Sequence, residues 1–125
     1  MPTRLTPNFY LEEFACRDGT KVPAHLIPNV RKVAAYLQVL RDELGEPINI
    51  NSGYRTKSYN KKVGGVPRSQ HLQAKAADIT VRSKTPKQLA AIIERLIKAG
   101  RMKQGGLGIY PSFVHYDVRG TKARW

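Results

Sequence analysis

The sequence predicts an α+β fold, a small antiparallel sheet with two main helices on one face, in a single domain over residues 1–125. Three observations predict it. Two stretches carry apolar residues at spacings of three and four, the stripe of an amphipathic helix. Around them lie short runs in which apolar and polar residues alternate, the pattern of a half-buried strand. Glycine, proline and serine mark the boundaries between these runs.

In chain order, Phe9, Leu11 and Phe14 make residues 8–15 a short docking segment, and Asp18-Gly19 marks a turn. The first helix spans Pro28 to Leu44 on the stripe Val30, Val33, Leu37, Leu40 and Leu44, with Gly45 as its stop and Pro47 just beyond. Ile48 to Asn51 alternates and reads as a strand. Thr56 to Gln70 holds Gly64-Gly65 and Pro67, so it reads as loop with one helical turn. Ala76 to Val81 is the second strand. Thr85 then caps the second helix, with Pro86 at its first position and Gln88 completing a capping box. Leu89, Ile92, Ile93, Leu96 and Ile97 form its buried stripe, and Gly100 ends it. Leu107 to Tyr110 and Phe113 to Val118 are two further strands, separated at Pro111-Ser112.

Composition narrows the function. With 41% hydrophobic and 25% charged residues, the chain of 125 residues has a globular rather than a disordered balance. The single cysteine, Cys16, excludes an internal disulfide framework and a cysteine-cluster zinc fold, and reads as a small core residue. No apolar run is long enough for a membrane span. Residues 1–7 lack the apolar core of a secretory signal, so the expectation is synthesis in the cytoplasm. The 22 Lys and Arg against 9 Asp and Glu, net +13, favour a polyanionic partner: nucleic acid, an anionic membrane or an acidic wall polymer. No nucleic-acid motif accompanies the charge, and the aromatic residues are not interleaved with the cations, so nucleic acid is not expected as a partner.

The chain has three histidines, His25, His71 and His115. Alternation puts Ala76, Asp78 and Thr80 on one face of their strand, and His115 and Asp117 on one face of theirs. If the two strands are neighbours, Asp78 and His115 meet on the open face and His71 arrives from the preceding loop. Two imidazoles and a carboxylate suffice to hold a catalytic zinc with one position left for water. Taken singly, each of the three reads more readily as a hydrogen-bonded surface group than as a ligand. His25 has no matching partner and reads as a solvated or helix-capping histidine.

The surrounding text carries a resemblance. Ser52-Gly53-Tyr54-Arg55, Ser58-Tyr59-Asn60, Val63-Gly64-Gly65, Ser69-Gln70-His71, Ala76-Ala77-Asp78-Ile79, Gly108-Ile109-Tyr110, Phe113-Val114-His115 and Asp117-Val118-Arg119 occur in this order. The series, with the Ala-Arg-Trp at 123–125, resembles the zinc D-Ala-D-Ala carboxypeptidase family, in the superfamily that also holds lysostaphin-type peptidases and the hedgehog signalling domain. The resemblance runs over residues 8–125 and implies a hedgehog/DD-peptidase-like fold. It implies zinc held by His71, Asp78 and His115, Arg55 on the substrate carbonyl or carboxylate, and Ser69 bracing the loop that presents His71. The implied activity is hydrolysis of peptidoglycan stem peptides at a bond involving a D-amino acid, as a carboxypeptidase or an endopeptidase. It also implies action at the cell wall after phage-type or other delivery without a signal.

Two positions depart from the family pattern. Many members place a carboxylate three residues before the last histidine as general base, and this chain has Ser112 there. Asp117 is the nearest carboxylate on the strand face of His115, either taking a proton from water or only orienting a ligand or pairing with a cation. Ala74 stands where many relatives carry glycine. The missing acid leaves an alternative open, a zinc-containing cell-wall binding module without turnover. The sequence carries no signal for an oligomeric state.

Overall fold

A computed structural model of the protein describes residues 2–125. Strands β1 (Arg4–Thr6) and β2 (Phe9–Tyr10) are followed by helix α1 (Ile27–Leu44), strand β3 (Asn49–Ser52), helix α2 (Lys57–Lys62), strand β4 (Ala76–Thr80) and helix α3 (Pro86–Lys98). Strands β5 (Gly106–Ile109), β6 (Val114–Asp117) and β7 (Ala123–Arg124) complete the chain. The fold is the predicted α+β.

The helices begin and end where their backbone groups find partners. Pro28 sits in the first turn of α1, where a missing N–H is no loss. Gly45 closes the helix in the left-handed region at φ 67°, and its N–H donates to the Arg41 carbonyl. Thr85 and Gln88 form the capping box of α3 reciprocally: Gln88 N–H donates to Thr85 Oγ1, and Thr85 N–H donates to Gln88 Oε1.

Five strands form one sheet in the order β3-β4-β6-β5-β7, antiparallel at every pair except β5 with β7, which run parallel. Alternation sorts its two faces. Ala77 and Ile79 of β4, Leu107 of β5, and Val114 and Tyr116 of β6 join a single apolar cluster with Val33, Leu37 and Leu40 of α1 and Leu89, Ile93 and Leu96 of α3. Each Val, Leu or Ile among them taken fully out of water contributes about 1.5–3 kcal/mol. Tyr116 is wholly buried there, and its hydroxyl donates to the Lys103 carbonyl at 2.8 Å; burial pushes its phenol pKa up. The other face carries Asp78, His115 and Asp117.

The docking segment, residues 8–15, contains strand β2 and a 3-10 turn over Leu11–Phe14, and β2 pairs with the unpredicted β1 as a hairpin. The hairpin is tied to α1 through Gln38, whose Oε1 accepts from Thr6 Oγ1 and the Asn8 N–H. Phe9 and Phe14 are buried against α1 as the apolar positions required. β7 is a second unpredicted element. Cys16 is buried as expected, and His25 is exposed in a 3-10 turn ahead of α1.

Candidate metal centre

The register of β4 against β6 sets Asp78 directly opposite His115. His71 reaches the same spot on a 3-10 turn, Gln70–Gln73. Ser69 starts that turn by accepting the His71 N–H at 3.2 Å, and the His71 carbonyl accepts from the Arg55 N–H at 3.0 Å. Ala74 ends the turn at φ 54°, a left-handed conformation that favours glycine. All three site side chains are buried: His71 is 2% exposed, Asp78 4% and His115 6%.

The partners of each imidazole fix its tautomer. His71 Nδ1 lies 2.6 Å from the Gly53 carbonyl, which only accepts, so Nδ1 carries the proton and Nε2 a lone pair. That Nε2 faces Asp78 Oδ1 at 3.1 Å. His115 Nε2 lies 2.7 Å from Asp117 Oδ2 and donates to it, which leaves the Nδ1 lone pair facing the same Asp78 oxygen at 3.2 Å. Three lone pairs converge, one ligand atom from each residue, all within 4.8 Å of one another. Electron pairs set face to face repel unless a cation or protons stand between them. The trio can therefore hold a metal ion, with both histidines oriented through their outer nitrogens as metal-bound imidazoles are.

The family model of peptidase M15 matches residues 7–117. This chain belongs to peptidase family M15. The M15 peptidases are zinc D-Ala-D-Ala carboxypeptidase-like metallopeptidases, so the matched segment contains all three residues of the cluster in a fold and a family that use a metal. No curated protein matches the chain.

In this M15 chain the cluster lies in a cleft of about 550 Å³ whose wall includes Arg55, Arg68, Ser69, Tyr110, Phe113, Arg119 and Trp125. Arg55 Nη2 donates to Asp78 Oδ2 at 3.0 Å, Nη1 to Asn60 Oδ1 and Nε to Ser52 Oγ, both at 3.2 Å. Of five guanidinium N–H groups, one on each terminal nitrogen stays free to face the cleft. Where protons rather than a metal stand between these groups, hydrogen bonds from His115 and His71 outweigh the burial that pushes the Asp78 carboxyl up and hold it well below the usual carboxylate range. Burial likewise pushes the His115 imidazole down, while Asp117 and Asp78 raise it on balance.

Asp117 is fully buried. Its Oδ1 accepts from the Gly106 and Arg119 N–H groups and from Arg119 Nε, and its Oδ2 accepts from His115 and from Arg119 Nη2. Burial raises its pKa, and the bonds from His115 and Arg119 more than reverse this. Both oxygens are occupied behind the histidine, so the orienting alternative of the sequence reading fits this geometry. Ser112 is exposed and lines a separate small cavity with Thr80, Lys84 and Pro86. Among the described residues no carboxylate other than Asp78 lines the cleft.

Three neighbours of the cluster, Asn60, Tyr110 and Trp125, belong to motifs of the quoted series but had no role assigned to them. Asn60, buried on α2, bridges Arg55 to the Val66 carbonyl. The indole of Trp125 packs on His115 with ring centroids 4.9 Å apart, and its Nε1–H donates to the Tyr110 hydroxyl at 2.8 Å. The available signal was Gly106-x-Gly108: alternation sets both glycines on the open face, beside Asp117 and His115. A Cβ on Gly106 would stand 2.2 Å from Asp117 Oδ2, and one on Gly108 2.4 Å from Trp125 Nε1. The two missing side chains make the space that the carboxylate and the indole fill.

Proposed function

We propose that this M15 peptidase is a zinc enzyme that hydrolyses peptidoglycan stem peptides at a bond involving a D-amino acid, as a carboxypeptidase or endopeptidase. The observation that carries the reading is the convergence of three lone pairs from His71, Asp78 and His115, each imidazole fixed by an outer acceptor. Nitrogen and carboxylate donors in a buried set of three, with one side open to a cleft, suit zinc held for catalysis. Zinc in such a site acidifies water and polarises a carbonyl.

The protein's own groups then divide the work. Arg55, held by Asp78, Asn60 and Ser52, presents two free N–H groups to the carbonyl oxygen or carboxylate of the peptide and strengthens as charge grows there. Asp117 keeps the proton of His115 on the nitrogen facing away from the cleft. The net charge of +13 holds the protein on the polyanionic wall. No described helix is long and apolar enough to cross a membrane, which is compatible with delivery to the wall by a phage-type route.

A second reading, a zinc-containing wall-binding module without turnover, is favoured by the absence, among the described residues, of any Asp or Glu other than Asp78 in the cleft wall. Digestion of purified peptidoglycan separates the two. Zinc-loaded wild type, His71→Ala and a chelated sample are compared by mass spectrometry of released peptides and D-alanine. Product from the wild type alone supports the peptidase, and its mass names the bond. Stoichiometric zinc with no product, together with binding to wall, supports the module.

A further inference from the structure

Tyr110 lies just beyond β5, and its N–H donates to the Phe113 carbonyl, so the β5–β6 hairpin still sets its side chain beside the open face. Its ring stacks on Phe113 at 4.4 Å and 10°. Its hydroxyl oxygen accepts the indole N–H of Trp125, and among the described residues its own O–H has no acceptor. A phenol that accepts one bond and still has a proton to give is a hydrogen-bond donor aimed by its acceptor contact. Trp125 is in turn held over Gly108, the residue paired with His115, and it packs on the His115 ring. The hydroxyl is thus fixed at one remove from the metal cluster, on the β5 side of it. Arg55 stands on the opposite, β3 side through its bond to Asp78.

We infer that Tyr110 is a second polar contact for the peptide group being cleaved. Its O–H donates to oxygen of the tetrahedral state from the side opposite Arg55, and Trp125 is the positioning residue that aims it. This rests on the peptidase reading above. No proton leaves Tyr110; the donated bond shortens as negative charge collects on the oxygen and so counts for more in the transition state than in the bound substrate. The other donor on that side of the cleft is Arg119, whose Nε and one Nη2 N–H bond Asp117 and whose Nη1 keeps its own N–H groups, so the Tyr110 variant is what separates the two.

The test compares zinc-loaded wild type, Tyr110→Phe and Trp125→Phe in two measurements. One is steady-state cleavage of a peptidoglycan stem peptide; the other is calorimetric binding of a phosphinate analogue of a D-Ala-D-Ala dipeptide, which mimics the tetrahedral state. Tyr110→Phe keeps the stack on Phe113 and loses only the hydroxyl. It is expected to lower kcat by about 100-fold with KM within twofold, the size seen for one lost oxyanion donor. It should weaken phosphinate binding at least tenfold, with zinc content and Tm unchanged. Trp125→Phe keeps an aromatic ring and loses the N–H, and is expected to fall between the two. Tyr110→Phe within twofold of wild type in both measurements overturns the inference. Failure of the wild type to cleave any wall peptide sinks the peptidase reading alone, since phosphinate affinity still judges Tyr110. Absence of both cleavage and phosphinate binding by zinc-loaded wild type overturns both.

Discussion

Oδ2 of Asp117 lies 2.7 Å from Nε2 of His115, and this contact decides which nitrogen of the imidazole turns toward Asp78. The carboxylate can make that choice because its other oxygen is pinned by two backbone N–H groups, from Gly106 and Arg119, which admit only an acceptor. A buried group two residues away on the same strand thereby sets the protonation pattern of the cluster without facing the cleft.

Asp117→Asn tests that arrangement with almost no change in shape. The amide oxygen must take the place beside the two backbone donors, so the amide NH2 faces His115. An NH2 donates, which moves the imidazole proton to Nδ1, the nitrogen that should stay bare. Zinc affinity, measured by competition with a chromogenic chelator, is expected to fall by about 10–100-fold. Affinity equal to wild type would mean that the Asp117 contact does not govern the tautomer.

Arg55 makes a different demand, because its guanidinium both pairs with Asp78 and keeps two N–H groups for a ligand. Arg55→Lys retains the charge and loses the fork. The expected result is zinc binding close to wild type with kcat/KM on a stem peptide lower by about 10²–10³-fold, the loss typical of one removed oxyanion donor. Equal losses of zinc and activity would place Arg55 in the support of the metal cluster alone.

Much of this site was legible in the sequence because strand alternation is a strict rule. Asp78 and His115 fall on one face of their strands, and the register β4 to β6 then sets them opposite each other. The helices were legible from the cap at Thr85 and the stop at Gly45. Elements whose partners are set by tertiary contact were not. β7 is two residues long and pairs in parallel with β5, so it has no local alternation to show, yet it carries Trp125 to His115. The β1–β2 hairpin is equally short and irregular in register. Ala74 was marked as a departure, and its positive φ shows only once the turn it closes is seen.

Trp125 is the only tryptophan, so its emission reports on the cleft. Gly108→Ala would place a methyl 2.4 Å from Nε1, and the indole has to leave, breaking the bond to Tyr110 and exposing the ring. The expected signature is a red-shifted emission maximum, with far-UV circular dichroism retained. Zinc addition is expected to alter the emission of wild type, whose indole touches His115, and to alter that of Gly108→Ala much less. Identical responses from the two proteins would show that Trp125 does not sit where zinc binds.

The same emission reads a pH-dependent link. Arg124 on β7 forms a two-point ion pair with Glu94 on α3, both contacts at 2.8 Å, and β7 is what holds Trp125 in place. The hydrogen bonds from Arg124 lower the Glu94 pKa in the folded state. A depressed carboxyl contributes stability that is fully present above its unfolded value, about 4.3, and is lost as pH falls through the lower folded value. The pair is partly exposed to solvent, so its worth is no more than about 1 kcal/mol, enough to loosen β7 and too little to unfold the domain. Trp125 emission is therefore expected to shift to the red below about pH 4 while circular dichroism holds. Asp78 and Asp117 are also lowered and titrate further into acid, so Glu94→Gln separates the contributions: it should remove the first shift and leave the later ones. A first shift that persists in Glu94→Gln would assign the loosening to another carboxylate.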